Sequence, residues 1–206
     1  MSIVKLSNNG VKNATAFGSI TGLGSMIFIK KLTASSSATL SFVDGSSDVV
    51  LDDTYKEYFF TFKNIHPATN GGSISFQAST DGGSNYNTTH TSTYIETWHT
   101  EDDSSTNLQY ATSMDLAQST DFHRMCAGTG NDNDQCSGGY LHLFNPSSTT
   151  FVKHFVADFN ETFHNDTSTR AMSAGYFNTT SAINAIQFKN HSGNIDAGDI
   201  CLYGIA

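Results

Sequence analysis

The sequence predicts an all-β fold, a single antiparallel β-sandwich that is jelly-roll-like and follows an extended N-terminal arm. Short apolar runs alternate with turns rich in Gly, Asn and Ser, and no long segment has a helical period. Only 14% of the residues are charged, whereas helical surfaces are usually covered by Glu, Lys, Arg and Ala. Roughly ten strands without alternating helices indicate two packed sheets or a barrel of similar size.

The N-terminal residues differ from the rest of the chain. Residues 1–25 have few apolar side chains and no sustained period, so we expect an arm that docks on a neighbouring protein or stays a loose terminus. Residues 26–206 carry the sandwich. The chain has no apolar run typical of a signal peptide and none of the roughly 20 residues that a membrane helix needs.

The first apolar runs predict strands. MIFIKKL at 26–32 and ATLSFV at 38–43 are separated by Ser residues, which favours a hairpin. YKEYFFTFKNI follows with a period of two, which places Tyr58, Phe60 and Phe62 on one buried side.

A turn is predicted next, at STDGGSNY, residues 79–86. This segment resembles the Asp-box hairpin brace of sialidase-like propellers and other β proteins, although Tyr86 departs from the pattern at the last position. A single copy predicts a local turn, in which Asp81 caps backbone amides and Gly82 and Gly83 have positive φ. It does not predict a sialidase.

The second half of the chain repeats the pattern of strand and turn. YLHLFN and TFVKHFVADF flank a turn at Pro146, and AMSAGYFN and INAIQFK follow. We expect the last strand, DICLYGI, to pair with INAIQFK. Three longer polar connections, at 99–108, 127–139 and 160–170, are the segments where recognition is expected on a rigid sandwich.

One strand carries a candidate ligand site. In TYIETWH, Tyr94, Glu96 and Trp98 lie on one face of the predicted strand. Aromatic rings beside a carboxylate suit glycan binding, because rings stack on the C–H faces of sugars and the carboxylate accepts hydrogen bonds from hydroxyls. The only Trp of a chain is more commonly a core residue, and that alternative stays open.

Metal and catalytic signals are sparse. Asp132 and Asp134 in NDNDQ offer oxygen atoms of the type that calcium prefers, but the loop lacks the Gly and the distal Glu of an EF-hand, so a hydrated surface loop is the alternative. No nucleophile, phosphate-binding or metalloprotease motif occurs, and we expect a non-enzymatic protein without a cofactor. The three Cys residues are expected to be reduced, although a bridge between Cys126 and Cys136 stays open.

The net charge of −9, with only ten Lys and Arg residues, argues against a nucleic-acid partner. Several segments of residues 26–206 instead resemble bacteriophage virion proteins, especially those of phages that infect marine bacteria: FTFKNIHPATNGGSISFQASTDGGSNY, LHLFNPSSTTFVKHF, AGYFNTTSAINAIQFK and SGNIDAGDICLYGI. The resemblance implies a structural protein of the virion surface, as a capsid decoration, appendage, tail or fibre component. It also implies a homo-oligomer that the arm attaches to other virion proteins and that contacts host-surface glycans.

Overall fold

The computed structural model describes residues 26–205 and confirms the predicted all-β antiparallel sandwich. The strands in chain order are β1 Met26–Ser37, β2 Leu40–Val43, β3 Glu57–Pro67, β4 Ile74–Ser79, β5 His90–Thr100, β6 Thr106–Tyr110, β7 His123–Arg124, β8 Ser137–Phe144, β9 Lys153–Phe163, β10 Thr167–Phe177, β11 Ala185–Asn190 and β12 Ile195–Ile205. Within this described part, no helix is long and apolar enough to cross a membrane. The predicted arm, residues 1–25, lies outside the described residues.

The strands form two sheets of unequal size. The larger sheet has eight strands in the order β1-β12-β3-β8-β9-β10-β5-β6, and the smaller has four in the order β2-β11-β4-β7. We call the side of the larger sheet that faces the smaller sheet its inner face, and the opposite side its outer face. Since four strands cannot cover eight, part of the inner face is available to form a site.

The core lies between the two sheets. Tyr58, Phe60 and Phe62 of β3 are buried, which confirms the predicted alternation of that strand. Phe188 of the smaller sheet meets the rings of Phe60 and Phe62 edge-on, with centroid separations of 5.3 and 5.1 Å. Burying one such side chain contributes about 1.5–3 kcal/mol, so these aromatic contacts hold the sheets together.

Two predicted strand pairings are wrong. β1 and β2 do not form a hairpin, because β1 pairs with β12 in the larger sheet and β2 pairs with β11 in the smaller one. Ser36 has a φ of 50°, and the chain crosses between the sheets within the few residues that follow. The last strand likewise does not pair with β11, because β12 lies between β1 and β3. Both errors arise because a short connection can also join strands of two different sheets, as those between β1 and β2 and between β11 and β12 do.

The predicted turn after β4 is confirmed. Asp81 Oδ1 accepts hydrogen bonds from the Ser79 hydroxyl at 2.6 Å and from the Asn85 backbone N–H at 2.9 Å. Gly82 and Gly83 have φ values of 71° and 83°. Hydrogen bonds from Ser79 and then Asn85 lower the pKa of Asp81 to about 2, so the carboxylate that organises the turn is ionised at neutral pH.

The three Cys residues are free thiols. Cys126 is fully buried in the main core, and burial raises the pKa of its thiol. A buried thiol with a raised pKa has little thiolate at neutral pH and packs as a small apolar side chain.

Candidate functional site

A cleft of about 480 Å³ opens over the inner face at one end of β5, β9 and β10. The pleat of β5 directs alternate side chains to this face, so Glu96, Trp98 and Thr100 follow one another along the cleft. Thr167 and Thr169 line it from the neighbouring strand β10, where Thr169 is the cross-strand partner of Trp98. The other lining residues are Ser105, Met114, Ala127, Phe163 and Asn165.

All three connections in which recognition was expected contribute to the walls of this cleft. Ser105 comes from the connection at 99–108, Ala127 from that at 127–139, and Asn165 from that at 160–170. Loops that are far apart in the chain therefore meet at one end of the sandwich, which is the usual arrangement of a binding site on a β scaffold.

Trp98 lines the cleft and is partly buried. It lies outside both apolar clusters of the interior, and its neighbours in the cleft include the apolar side chains of Met114 and Phe163. A partly exposed indole in a cleft can stack on a ligand, so a ligand-facing role of Trp98 stays a prediction.

Glu96 provides an oriented acceptor beside Trp98. Its side chain is only 9% exposed, and its Oε1 accepts a hydrogen bond from the side-chain amide of Gln109 at 2.7 Å. Its other oxygen, Oε2, is buried and has no hydrogen-bond partner among the described residues. This oxygen is closed off from solvent, so a ligand hydroxyl reaches it only when the Glu96 side chain moves toward the cleft, where the new hydrogen bond would satisfy it.

Tyr94, the third residue of the predicted platform, does not line the cleft. It is fully buried and packs with Ala111, Ala171 and Met114 in a small second cluster. The period of two correctly places Tyr94 on the same face of β5 as Glu96, but it does not show how deeply each side chain on that face is buried. Because Tyr94 is fully buried, its ring is not available to a ligand, although the cluster that contains it packs against Met114 of the cleft lining.

The calcium candidates lie away from any cluster of ligands. Asp132 and Asp134 are exposed, and the backbone carbonyl of Asp132 is 3.3 Å from His66 Nε2. Across residues 26–205, no group of three or more His, Cys, Asp or Glu side chains is arranged to hold a metal ion. The structure therefore brings no third acidic side chain to this pair, and calcium binding stays a prediction.

A buried carboxyl group, Glu161 on β9, holds the wall of the cleft in place. Its oxygens accept hydrogen bonds from the backbone N–H of Ala127 at 2.6 Å, from that of Gly128 at 3.1 Å and from the Thr129 hydroxyl at 2.7 Å. Burial raises the pKa of Glu161, and these hydrogen bonds oppose the rise. The role of Glu161 was not predicted, because nothing in its local sequence marks it as buried.

The lining combines one indole, three other apolar side chains, four hydroxyls, one amide and one carboxyl group. No family model, curated protein or solved structure matches the chain. The chemistry of the cleft is therefore the basis for proposing a ligand. A mixed lining of this kind fits a small molecule with both apolar and hydroxyl-bearing faces.

Proposed function

We propose that this protein is a non-enzymatic glycan-binding β-sandwich whose cleft holds a sugar ring against Trp98. The observation that carries the proposal is that Trp98 and Glu96, two residues apart on one face of β5, line the same cleft. The C–H face of a sugar stacks on an aromatic ring, while its hydroxyls need acceptors and donors at the edge of that ring. These two residues supply both requirements at neighbouring positions of one face.

The size and the polar rim of the cleft support the same ligand class. A volume of about 480 Å³ lies within the range of about 300–1,000 Å³ that is typical of small-molecule sites. Hydroxyl groups from β5 and β10 and the amide of Asn165 can both donate and accept hydrogen bonds. A ligand with many hydroxyl groups matches such a rim better than a purely apolar ligand.

The carboxylates favour binding over hydrolysis. Glycosidases use two carboxyl groups roughly 5 to 9.5 Å apart, and Glu96 is the one acidic side chain among the described residues that line this cleft. Glu161 lies behind the wall, where the 127–129 backbone and Thr129 occupy its oxygens. We therefore propose recognition without bond cleavage.

Replacing Trp98 tests the proposal. On a glycan array, Trp98→Ala is expected to lose the signal of the wild-type protein, with affinity weakened by about thirtyfold or more, because truncating an aromatic anchor commonly costs about 2 kcal/mol or more. Phe151→Ala is the matched control, since Phe151 is 69% exposed and does not line the cleft.

Denaturant unfolding of both variants separates binding from folding. Retention of the wild-type array signal by folded Trp98→Ala would contradict the proposal. A loss of several kcal/mol of folding free energy, with binding retained by the folded fraction, would assign Trp98 to the core.

A second proposal is a structural protein of a phage particle surface, which would assemble as symmetric copies, and the outer face of the larger sheet offers a surface for such contacts. Strand register places a row of exposed apolar side chains on this face, from one edge strand to the other. The row consists of Phe28, Tyr140, Val156, Ile95, Tyr110 and Leu108. Several exposed apolar side chains on one sheet face are typical of a surface that packs against another protein.

The charges on the outer face favour a second copy of this chain as the occupant. Ion pairs join Lys31 to Asp199 and Arg170 to Asp158, so these charged side chains of the face neutralise one another, and Glu57 lies 2.8 Å from the imidazole of His142. Copies that each carry a net charge of −9 repel one another. Two copies that meet through a face with paired charges have the smallest electrostatic repulsion to overcome.

Leu108→Glu is expected to weaken self-association at least tenfold, because it places a charge in the apolar row of an edge strand. Sedimentation velocity over a concentration series measures the effect. Phe151→Glu adds the same charge at an exposed position outside the row and is expected to leave association close to that of the wild type. A wild-type protein that stays monomeric at the highest soluble concentration would overturn the self-association proposal.

The virion location has its own test. We propose that the protein is found on purified phage particles, attached through residues 1–25, with the glycan cleft directed to the host surface. Mass spectrometry of gradient-purified particles is expected to detect the chain in a fixed ratio to the major capsid protein. Its absence from intact particles would contradict the location without affecting the glycan proposal.

A further inference from the structure

A second groove, of about 570 Å³, adjoins the cleft. Met114 lines both, and the stretch from Arg124 to Ala127 reaches from the second groove to the first. The two grooves therefore lie side by side, with Met114 common to both. The second groove is polar, and its other lining residues are Ser75, Ser113, Leu116, Thr120, Asp121, Phe122, Lys189 and His191.

Two cationic side chains, Arg124 and Lys189, and the imidazole of His191 line this groove, in a chain with a net charge of −9. Arg124 is anchored by its Nη2, which donates to the Ser73 hydroxyl and to the Ala127 carbonyl at 2.6 Å each. The ammonium of Lys189 lies 4.0 Å from the centroid of the Phe122 ring. These contacts fix both cations in place, and neither contact removes their charge.

Within residues 26–205, the positive charge in the groove has no carboxylate partner. The ion pairs found within residues 26–205 include none of Arg124, Lys189 and His191. Asp121 is the one acidic side chain among the described lining residues, and it is exposed. Burial lowers the pKa of His191, and the charges of Arg124 and Lys189 lower it further, as expected where cations lie close together without an anion between them.

We infer that this cationic groove binds the acidic group, a carboxylate or a sulfate, of an acidic glycan whose neighbouring ring occupies the cleft at Trp98. The inference rests on the proposed glycan binding and narrows its ligand class. An anionic substituent gains charge-assisted hydrogen bonds from Arg124 and Lys189, which are stronger than bonds between neutral groups. The acidic surface of the rest of the protein repels an anionic glycan, so we expect such a glycan to bind at this groove.

The test uses matched oligosaccharides that differ only in the acidic group: a galactose tetramer, its galacturonate counterpart and its sulfated counterpart. Calorimetry of the wild-type protein is expected to give at least about tenfold tighter binding to one of the acidic tetramers than to the neutral one. The double variant Lys189→Gln, His191→Gln is expected to reduce that affinity to the level of the neutral tetramer. The tighter binding of either the galacturonate or the sulfated tetramer shows whether the groove prefers a carboxylate or a sulfate.

Lys56→Gln is the control, because Lys56 is exposed and lies outside both grooves. Lys56→Gln removes one positive charge, as Lys189→Gln does, and is expected to leave the preference for the acidic tetramer over the neutral one intact. Equal affinity for the neutral and acidic tetramers, with binding lost in Trp98→Ala, would overturn this inference and leave the glycan proposal standing. Acidic binding that survives in Trp98→Ala would overturn both, because the ring would then not occupy the cleft.

Discussion

Acidification from about pH 7.5 to about pH 4.5 is expected to lower the free energy of unfolding by about 3 kcal/mol through His123 alone. His123 is fully buried beside Phe76 and Phe155, with ring centroids 5.6 and 5.3 Å away. Its Nδ1 is 3.2 Å from the Ser92 hydroxyl, and its Nε2 has no partner within the described residues. Burial, and then the neighbouring His90, lower the pKa of His123 to about 3.

The direction of the effect follows from proton uptake in the two states. The unfolded chain binds a proton at His123 below the ordinary histidine pKa of 6.5, whereas the folded protein does not until about pH 3. The stabilisation is complete above pH 6.5 and is lost as the pH falls from there toward 3. Burial also lowers the pKa of His90, which adds to the loss in the same direction.

Urea unfolding of His123→Leu measures this contribution. Whatever its stability at pH 7.5, the variant is expected to lose about 3 kcal/mol less than the wild type on acidification to about pH 4.5, because the titrating group is gone. His154→Leu, at an exposed position of β9, is the control and is expected to keep the wild-type slope. If the free energy of unfolding fell equally with pH in the wild type and in His123→Leu, His123 would not be the cause of the acid sensitivity.

Glu161→Ala is expected to lower the free energy of unfolding by about 3–5 kcal/mol, because it leaves buried donors of residues 127–129 without an acceptor. Most domains have a total free energy of unfolding of only about 5–15 kcal/mol, so this variant would be close to unfolding. Since Ala127 lines the cleft, we also expect glycan binding to weaken.

Glu161→Gln keeps one acceptor oxygen and is expected to lose less than half as much stability. Glu101→Ala removes an exposed carboxylate and is expected to change stability by no more than about 0.5 kcal/mol. Chemical denaturation of the three variants checks the order. Equal losses for Glu161→Ala and Glu101→Ala would show that the buried carboxyl group does not stabilise the wall.

The strands could be predicted because a period of two is a local property. Tyr58, Phe60 and Phe62 indicate a buried face from their spacing alone, and the structure has them buried. Strand partners could not be predicted in the same way. A short connection such as that between β1 and β2 joins two sheets, and only the packing of the whole core decides which sheet each strand enters.

The candidate site was predictable in part. Glu96 and Trp98 were found from one strand, and three loops were expected to carry recognition, but Tyr94 on the same face lies too deep to reach a ligand. The cationic groove had no local signal, because Arg124 and Lys189 are far apart in the sequence. They meet because β7 and β11 both pair with β4.

The most direct test of the glycan cleft is the fluorescence of Trp98, the single tryptophan of the chain. We would titrate the wild-type protein with a glycan that it binds by calorimetry and record the tryptophan emission. A sugar ring that stacks on the indole removes water from it, so we expect a saturable shift to shorter wavelength with the calorimetric affinity. Calorimetric saturation with unchanged emission would place the ligand elsewhere and contradict the assignment of this cleft.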